Sequence, residues 1–258
     1  MTGLPRLTLI TPSYNQQAYI EHTIRSVLSQ DYPNLEYLVV DGGSTDSTLE
    51  ILKRYRDKLT FNSEADRGQT HAINKGLLRA TGDIVGYLNS DDVLEPGALH
   101  IVGEFFRAHP QAGWVTGYCR IIDAQNRPVR QPIGAYKNFW LRTCSRSVLA
   151  VLNYISQPAT FWRRGALPDG GFLDENCHYA MDYDLWLRLS QRYPLALIRQ
   201  TLANFRVHPQ SKGGTSAAAQ FAEDLLVARR HVPSGTLVKL HALHNALILA
   251  VYHWLQRR

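Results

Sequence analysis

The sequence predicts an α/β fold, a mainly parallel sheet flanked by helices. Over the first 120 residues, β-prone apolar runs alternate with amphipathic helical segments, as they do where helices cover a parallel sheet. The apolar runs end in Asp, Asn, Ser and Gly, and an open α/β sheet gathers such turns at its carboxyl edge, where it binds ligands. At 258 residues, with no internal repeat or low-complexity linker, the chain suits one such domain with elaborations.

Leu7–Thr11 is the first strand, and Tyr19–Ser29 a helix with Ile20, Ile24, Val27 and Leu28 on one face. Leu35–Val40 is a strand ending in Asp41. Ser47 and Glu50 have the spacing of a capping box opening a helix through Tyr55. A short strand Leu59–Ser63, a helix Thr70–Arg79, a strand Ile84–Leu88, a helix Pro96–Ala108 and a strand Trp114–Ile122 complete this half. The second half is less regular, and is expected to form a smaller mixed region followed by C-terminal helices. Thr160–Trp162 reads as a strand, Asp184–Arg192 as a helix, and Leu195–Arg199 and Ala203–Val207 as two short strands. Ser216–Arg230 and Leu237–Leu255 read as helices. The expected division is a domain over 1–215, with halves 1–120 and 121–215, and a C-terminal helical extension over 216–258. The apolar stretch Ala246–Tyr252 falls short of the ~20 residues needed to span a bilayer. Its helix either packs on the domain or lies at a membrane interface, with Trp254, Arg257 and Arg258 at headgroup level.

Net charge is +6, unevenly spread: residues 1–136 sum to −2 and residues 137–258 to +8. A basic second half suits a phosphorylated substrate, a membrane surface or nucleic acid, or is simply solvated. Three cysteines without Cys-x-x-Cys spacing argue for a reducing compartment and against a zinc site. With no signal peptide evident, the expected location is cytoplasmic, with peripheral contact to the inner face of the membrane as an extension of that reading.

Four segments belong at the carboxyl edge: Thr11–Asn15, Asp41–Asp46, Glu64–Gln69 and Asn89–Asp92. There is no Gly-x-Gly-x-x-Gly after a strand and no Gly-x-x-x-x-Gly-Lys loop, so a nucleotide must be held differently. Asp41 can accept from a base N–H. Asp91 and Asp92 can hold Mg²⁺ or Mn²⁺ against a phosphate, or they can merely form a turn and cap the helix near Pro96.

Pro12-Ser13-Tyr14-Asn15, Asp41 to Thr48, Asn74-Lys75-Gly76, Ala80-Thr81-Gly82-Asp83 and Leu88 to Asp92 together resemble family 2 glycosyltransferases, inverting metal-dependent enzymes of the GT-A fold. The resemblance runs from about residue 6 to residue 215. It implies a nucleotide-diphosphate-sugar donor, UDP being the commonest nucleotide in that family, and a glycan or lipid-linked acceptor. Pro12, Ser13, Tyr14, Asn15 and Asp41 would hold base and ribose, and Asp66, Arg67, Asn74, Asp91 and Arg206 would complete the donor site. Asp92, then Asp91, then His208 would ligate Mn²⁺ or Mg²⁺. Gln157–Arg164 is similar to a segment beside the acceptor site. Met181-Asp182 falls where the family carries its catalytic base, which assigns that role to Asp182, with Asp184 second; Asp182 would otherwise cap the following helix. Two residues depart from the pattern: Asn89 stands where many relatives have the first Asp of Asp-x-Asp, and Met181 where Glu often precedes the base. Lys212-Gly213-Gly214 reads as a loop closing over donor.

Two other classes compete. A nucleotidyltransferase would show a Gly-rich basic loop after the first strand, which Pro12–Asn15 does not supply. A basic module binding nucleic acid or another anionic polymer fits the positive half and five tryptophans, yet Asp41, Asp66, Asp91 and Asp92 would repel phosphates without a metal. The expected partners therefore exclude nucleic acid.

Overall fold

The computed structural model describes residues 3–167, 172–211 and 217–256. The expected donor-covering loop at Lys212–Gly214 lies outside the described residues, as do the terminal arginines and the Trp254 side chain.

Strand β1 (Leu7–Ser13) is buried along its whole length between β2 (Leu35–Asp41) and β4 (Ile84–Tyr87), parallel to both, and β3 (Thr60–Ser63) pairs outside β2. Successive side chains point to opposite faces of a strand, and two cores follow. Leu7, Leu9, Val39 and Ile84 face α1 (Ile20–Leu28), α2 (Thr48–Arg54) and α4 (Ala98–Ala108), while Ile10, Leu38, Val40 and Val85 face α3 (Gln69–Arg79). Gly76 lets α3 lie on the sheet: a Cβ there would sit 2.5 Å from Ile10 Cγ2.

The same sheet continues through β5 (Val93–Leu94), β6 (Trp114–Ile122), β7 (Thr160–Arg163) and β8 (Ala196–Arg206), in the spatial order β3-β2-β1-β4-β7-β6-β8-β5. Its second half is mixed: β7 is antiparallel to β4 and β6, β5 is antiparallel to β8, and β6 and β8 are parallel. The expected mainly parallel sheet with a smaller mixed region in the second half is what the structure has: parallel over residues 7–87, mixed beyond them. Helices α5 (Gln131–Leu141), α6 (Arg146–Leu149), α7 (Met181–Arg192), α8 (Ala217–His231) and α9 (Gly235–Gln256) complete the described chain.

Several boundaries differ from those expected. The two strands expected over 195–207 are one, because β6 pairs along its full length and a bulge absorbs the exposed Arg199-Gln200: Gly117 pairs Ile198 and Tyr118 pairs Thr201. The capping box at Ser47 is not made; Asp46 Oδ1 accepts from Thr48 N at 3.0 Å instead. Helix α7 begins at Met181 rather than Asp184, so Asp182 lies in its first turn. Helices α5 and α6 were not foreseen, since their apolar residues lack a clear helical stripe. Trp114, Trp162 and Trp186 are wholly buried and mutually packed, with ring centroids 5.7 and 6.1 Å apart; these tryptophans build a core and supply no polymer-binding face. The C-terminal extension is packed on the domain through α8 and the start of α9. No helix among the described residues is long and apolar enough to cross a membrane.

Candidate active site

Ser13, Asp41 and Ser63 share one rung at the carboxyl ends of β1, β2 and β3. The wholly buried Asp41 carboxylate accepts from Gly43 N (3.1 Å), Ser44 N (2.8 Å), Ser44 Oγ (2.5 Å) and Ser63 Oγ (2.6 Å). A carboxylate offers about four lone-pair sites, so Asp41 folds this loop and presents no open face to a base. Asn15 adopts a left-handed φ of 52°, which Asn tolerates better than most residues. Its N donates to Ser44 Oγ and its Oδ1 accepts from Thr45 N, both at 2.8 Å. Pro12 and Ser13 are buried beneath this junction, while Tyr14 is 58% exposed. Asp66, half-buried, accepts from Gly68 N and overlies Gly42, where a Cβ would meet Asp66 Oδ2 at 2.6 Å.

The turn after β4 is pinned on all sides. Thr23 Oγ1 of α1 donates to the Ser90 and Asp92 carbonyls, and β5 pairs Val93 with Asn204. Asp92 is wholly buried; Oδ1 accepts from Arg206 N (2.8 Å) and Oδ2 from Asn89 Nδ2 (3.2 Å). Burial and the neighbouring Asp91 charge raise its pKa well above the usual carboxylate range, against the pull of those donors. Asp91 faces outward instead, with Oδ2 3.0 Å from His208 Nε2, and the His208 ring packs on Tyr19 at 4.5 Å. Arg206, also wholly buried, donates to the Asp91 and Asp123 carbonyls, lies 5.3 Å from the Tyr19 ring centre and leaves Nη2 without a partner. Asn89 relays between Gln69 (2.6 Å) and Asp92, a donor role an ionised Asp at that position lacks.

Two expected donor residues are committed elsewhere. Asn74 clamps the Leu173 backbone in both directions at 2.9 Å. Arg67, largely exposed, reaches across to Glu175 at 2.5 Å, tying the Glu64–Gln69 turn to the second half.

Asp182 lies partly open at the start of α7, its Oδ1 accepting from Tyr183 N at 2.7 Å. Burial pushes its pKa up to about 6, against the nearby Lys137 charge of α5. Asp184, the second candidate, is buried between Arg188 (2.8 Å) and His231 (2.6 Å). Burial raises its pKa, but these partners outweigh that and hold it low; this geometry removes it as a free base and as the helix cap. Instead Glu223 of α8 caps α7, accepting from Tyr179 N and Ala180 N at 3.0 Å each. The adjacent Asp224 is 3% exposed with Oδ1 unpartnered, and burial, then the Asp182 charge, push it up to about 8. Tyr87, buried at the end of β4, lies within the field of both Asp182 and Asp92. Its pKa is raised well above the ordinary value, first by burial and then by the charges of Asp182 and Asp92. Surface clefts of ≈ 340 and ≈ 300 Å³ lie elsewhere; Arg163 and Arg164, at the end of the segment expected beside the acceptor site, line the first, and none of the expected donor, metal or base residues lines either.

Lys137, Glu223 and Asp224 were missed by the sequence reading. Their side chains reach the site through tertiary packing, from helices carrying no motif; only the run of acids Glu223-Asp224 in an otherwise apolar and basic tail hints at them.

Such a parallel half, with polar turns at its carboxyl edge and a mixed half beyond it, has the architecture of the GT-A type of α/β fold. The model of the family "Glycosyl transferase family 2" matches residues 8–170, and the chain belongs to that family. Poly-beta-1,6-N-acetyl-D-glucosamine synthase of Staphylococcus epidermidis is 30% identical over 178 residues, 65% of this chain and 42% of that protein. Chondroitin synthase of Escherichia coli is 28% identical over 211 residues, 81% of this chain and 30% of that protein. The chain thus spans less than half the length of these relatives. Among solved structures, Staphylococcus aureus TarS 1–349 in complex with UDP-GlcNAc superposes with a TM-score of 0.68 at 20% identity, covering 89% of this chain and 67% of that one. The mannosyltransferase PcManGT from Pyrobaculum calidifontis, in complex with GDP-Man and Mn²⁺, gives 0.70 at 23% identity, covering 95% and 70%.

Proposed function

We propose that the chain is an inverting glycosyltransferase that moves a sugar from a nucleotide-diphosphate-sugar, UDP-sugars first, to a hydroxyl of a glycan or lipid-linked acceptor. What supports this reading most is the pair of carboxylate groups near the end of β4: Asp182 in the first turn of α7, and the Asp91–Asp92 turn that follows β4, with the Tyr87 hydroxyl within the field of both Asp182 and Asp92. Inversion needs a carboxylate that removes the acceptor proton as the hydroxyl attacks opposite the leaving diphosphate. Asp182, with a pKa near 6, is ionised at neutral pH and basic enough to accept that proton. The residue is partly exposed, and Tyr183 N holds Oδ1 in the first turn of α7.

Asp91 and His208 offer a carboxylate and an imidazole, now hydrogen-bonded to each other at 3.0 Å through Oδ2 and Nε2; turned onto a divalent cation, they would leave its remaining positions to diphosphate and water. Bound there, Mn²⁺ or Mg²⁺ would neutralise charge on the leaving diphosphate. Asp92, the first ligand expected, also fixes the Arg206 backbone and through it the turn carrying Asp91, and one donor on each oxygen leaves it lone pairs for the cation. The orphaned Nη2 of Arg206 supports a role beside an anion at this turn. Base and ribose fall to the Pro12–Asn15 junction and the Asp66–Gly42 contact, with Asp41 supporting from beneath.

This reading takes residues 1–215 as the catalytic domain and 216–258 as an extension that braces α7. A cytoplasmic location accords with the free Cys119, Cys144 and Cys177. The test is thermal stability with UDP, GDP, dTDP and CDP, each with Mn²⁺ and then with chelator. A nucleotide at 100 times its Kd adds about 2.7 kcal/mol, so one nucleotide should raise the midpoint in Mn²⁺ only. No response to any nucleotide would overturn the donor site. Pyrophosphate release from a nucleoside triphosphate plus sugar phosphate would install the nucleotidyltransferase reading.

A further inference from the structure

Helices α5 and α9 meet through Tyr136, whose hydroxyl lies 3.0 Å from His244 Nε2 with the rings stacked at 6.3 Å. Trp140 continues the cluster, 6.4 Å from Tyr136 and 5.3 Å from Phe139. The side chains left open around this contact are apolar: Phe139 is 62% exposed, Leu240 45%, Leu243 57% and Leu247 59%. Leu240, His244 and Leu247 follow one another at helical spacing on one face of α9, with Leu243 beside them. Single exposed leucines are ordinary, but a contiguous aromatic and leucine face marks a contact surface.

The charge around this face has one sign. No Asp or Glu lies between Asp123 and Asp169, and none follows Asp224, so α5, α6 and α9 carry no carboxylate. Arg142, Arg146 and Lys239 are exposed on these elements and form no ion pair among the described residues. Burial lowers the His244 pKa, so the contact between the helices is neutral and the arginines and Lys239 set the field.

We propose that this face seats the protein on an anionic lipid surface. Leu240, Leu243, Leu247 and Phe139 enter the boundary between headgroups and acyl chains, and Arg142, Arg146 and Lys239 meet lipid phosphates. An apolar centre with cations and no anions complements such a surface. It does not complement itself: a two-fold contact between copies would set the same cations against one another with no carboxylate to pair them. Helix α5 also carries Lys137, which neighbours Asp182, so seating α5 on lipid brings the proposed base close to the bilayer, where a lipid-linked acceptor would present its hydroxyl. That last consequence rests on the proposed function; the lipid contact does not.

The test is flotation of the full chain with vesicles of phosphatidylcholine alone and with about 30 mol% phosphatidylglycerol, at low and high salt. Binding should require the anionic lipid and fall on raising salt from about 50 to about 500 mM, as the screening length shortens. Each cation near an anionic surface is worth about fivefold in partitioning, so Arg142→Glu with Lys239→Glu should weaken binding by well over tenfold. Leu243→Glu with Leu247→Glu, at sites more than half exposed, should abolish it while the thermal midpoint and any nucleotide response stay at wild-type values. Equal flotation with both vesicle types, or binding retained by both variant pairs, overturns the proposal. So does a lipid-free dimer, seen in sedimentation equilibrium, that the leucine substitutions dissolve, since it gives the face to a second copy. Vesicle binding by a chain that answers to no nucleotide would fail the glycosyltransferase reading alone.

Discussion

The donor-side turns and the acceptor-side cluster solve opposite problems with the same residue type. Asp41 and Asp92 are wholly buried and hydrogen-bonded on both oxygens, so they shape loops. Asp182 and Asp224 sit among fewer donors, with Asp224 Oδ1 and Asn153 Oδ1 buried and unpartnered, and burial lifts both acids. Burial lifts Asp92 as well; what distinguishes it and Asp41 is that donors hold both oxygens in place, while Asp224 keeps one oxygen bare. On the proposed function this difference separates donor binding from proton removal, and the substitutions below probe it.

The largest effect is expected at Asp182. Asp182→Asn keeps size and the contact to Tyr183 N but removes the base, and turnover should fall about 10²–10⁴-fold. Wild-type kcat/KM should fall as pH drops through about 6, where the carboxylate is protonated. A pH profile flat from 5 to 8 would remove the base from this residue.

Next comes Arg206→Ala. It strips hydrogen bonds from the Asp91 and Asp123 carbonyls and leaves Asp92 without its cationic neighbour, so chemical denaturation should show a loss of about 3–5 kcal/mol. Asn74→Ala, which orphans both sides of the Leu173 backbone, should cost about 2–4 kcal/mol by the same measurement and leave nucleotide affinity little changed.

Asp224 sharpens the comparison through pH. Its folded pKa, up to about 8, lies above the unfolded value, so the native state binds the extra proton. The stability this gives is complete below about pH 4 and is lost as pH rises to about 8. Asp224→Asn should therefore gain on wild type as pH rises from 5 to 8.5 in scanning calorimetry; a constant difference would contradict the shift. The smallest effect belongs to Gly42→Ala, whose Cβ would press on the movable Asp66 carboxylate. Stability should change by about 1 kcal/mol or less, while nucleotide affinity, read by calorimetric titration, should fall more than stability does.

The same contrast explains what the sequence made legible. The donor half was readable because it is local: each strand of residues 7–87 delivers its own polar turn, and the order β3-β2-β1-β4 brings those turns to one edge. What local reading could not supply was the direction each carboxylate faces. Asp41 and Asp92 turned inward because Ser44, Ser63, Asn89 and the Arg206 backbone, from up to 114 residues away, offered donors. The acceptor half depends on long-range packing throughout. Helix α5 brings Lys137, and α8 brings Glu223 and Asp224, across gaps that no periodicity or motif announces. Asp184 looked like a helix cap until α7 began three residues earlier and His231 claimed its oxygen.

The separation of binding from proton removal is tested most directly by one paired measurement on Asp182→Asn: nucleotide affinity in Mn²⁺, and nucleotide release from the matching nucleotide-sugar in the same sample. The account predicts unchanged affinity with release reduced about 10²-fold or more. Affinity and release falling together, or release persisting at the wild-type rate, would contradict it.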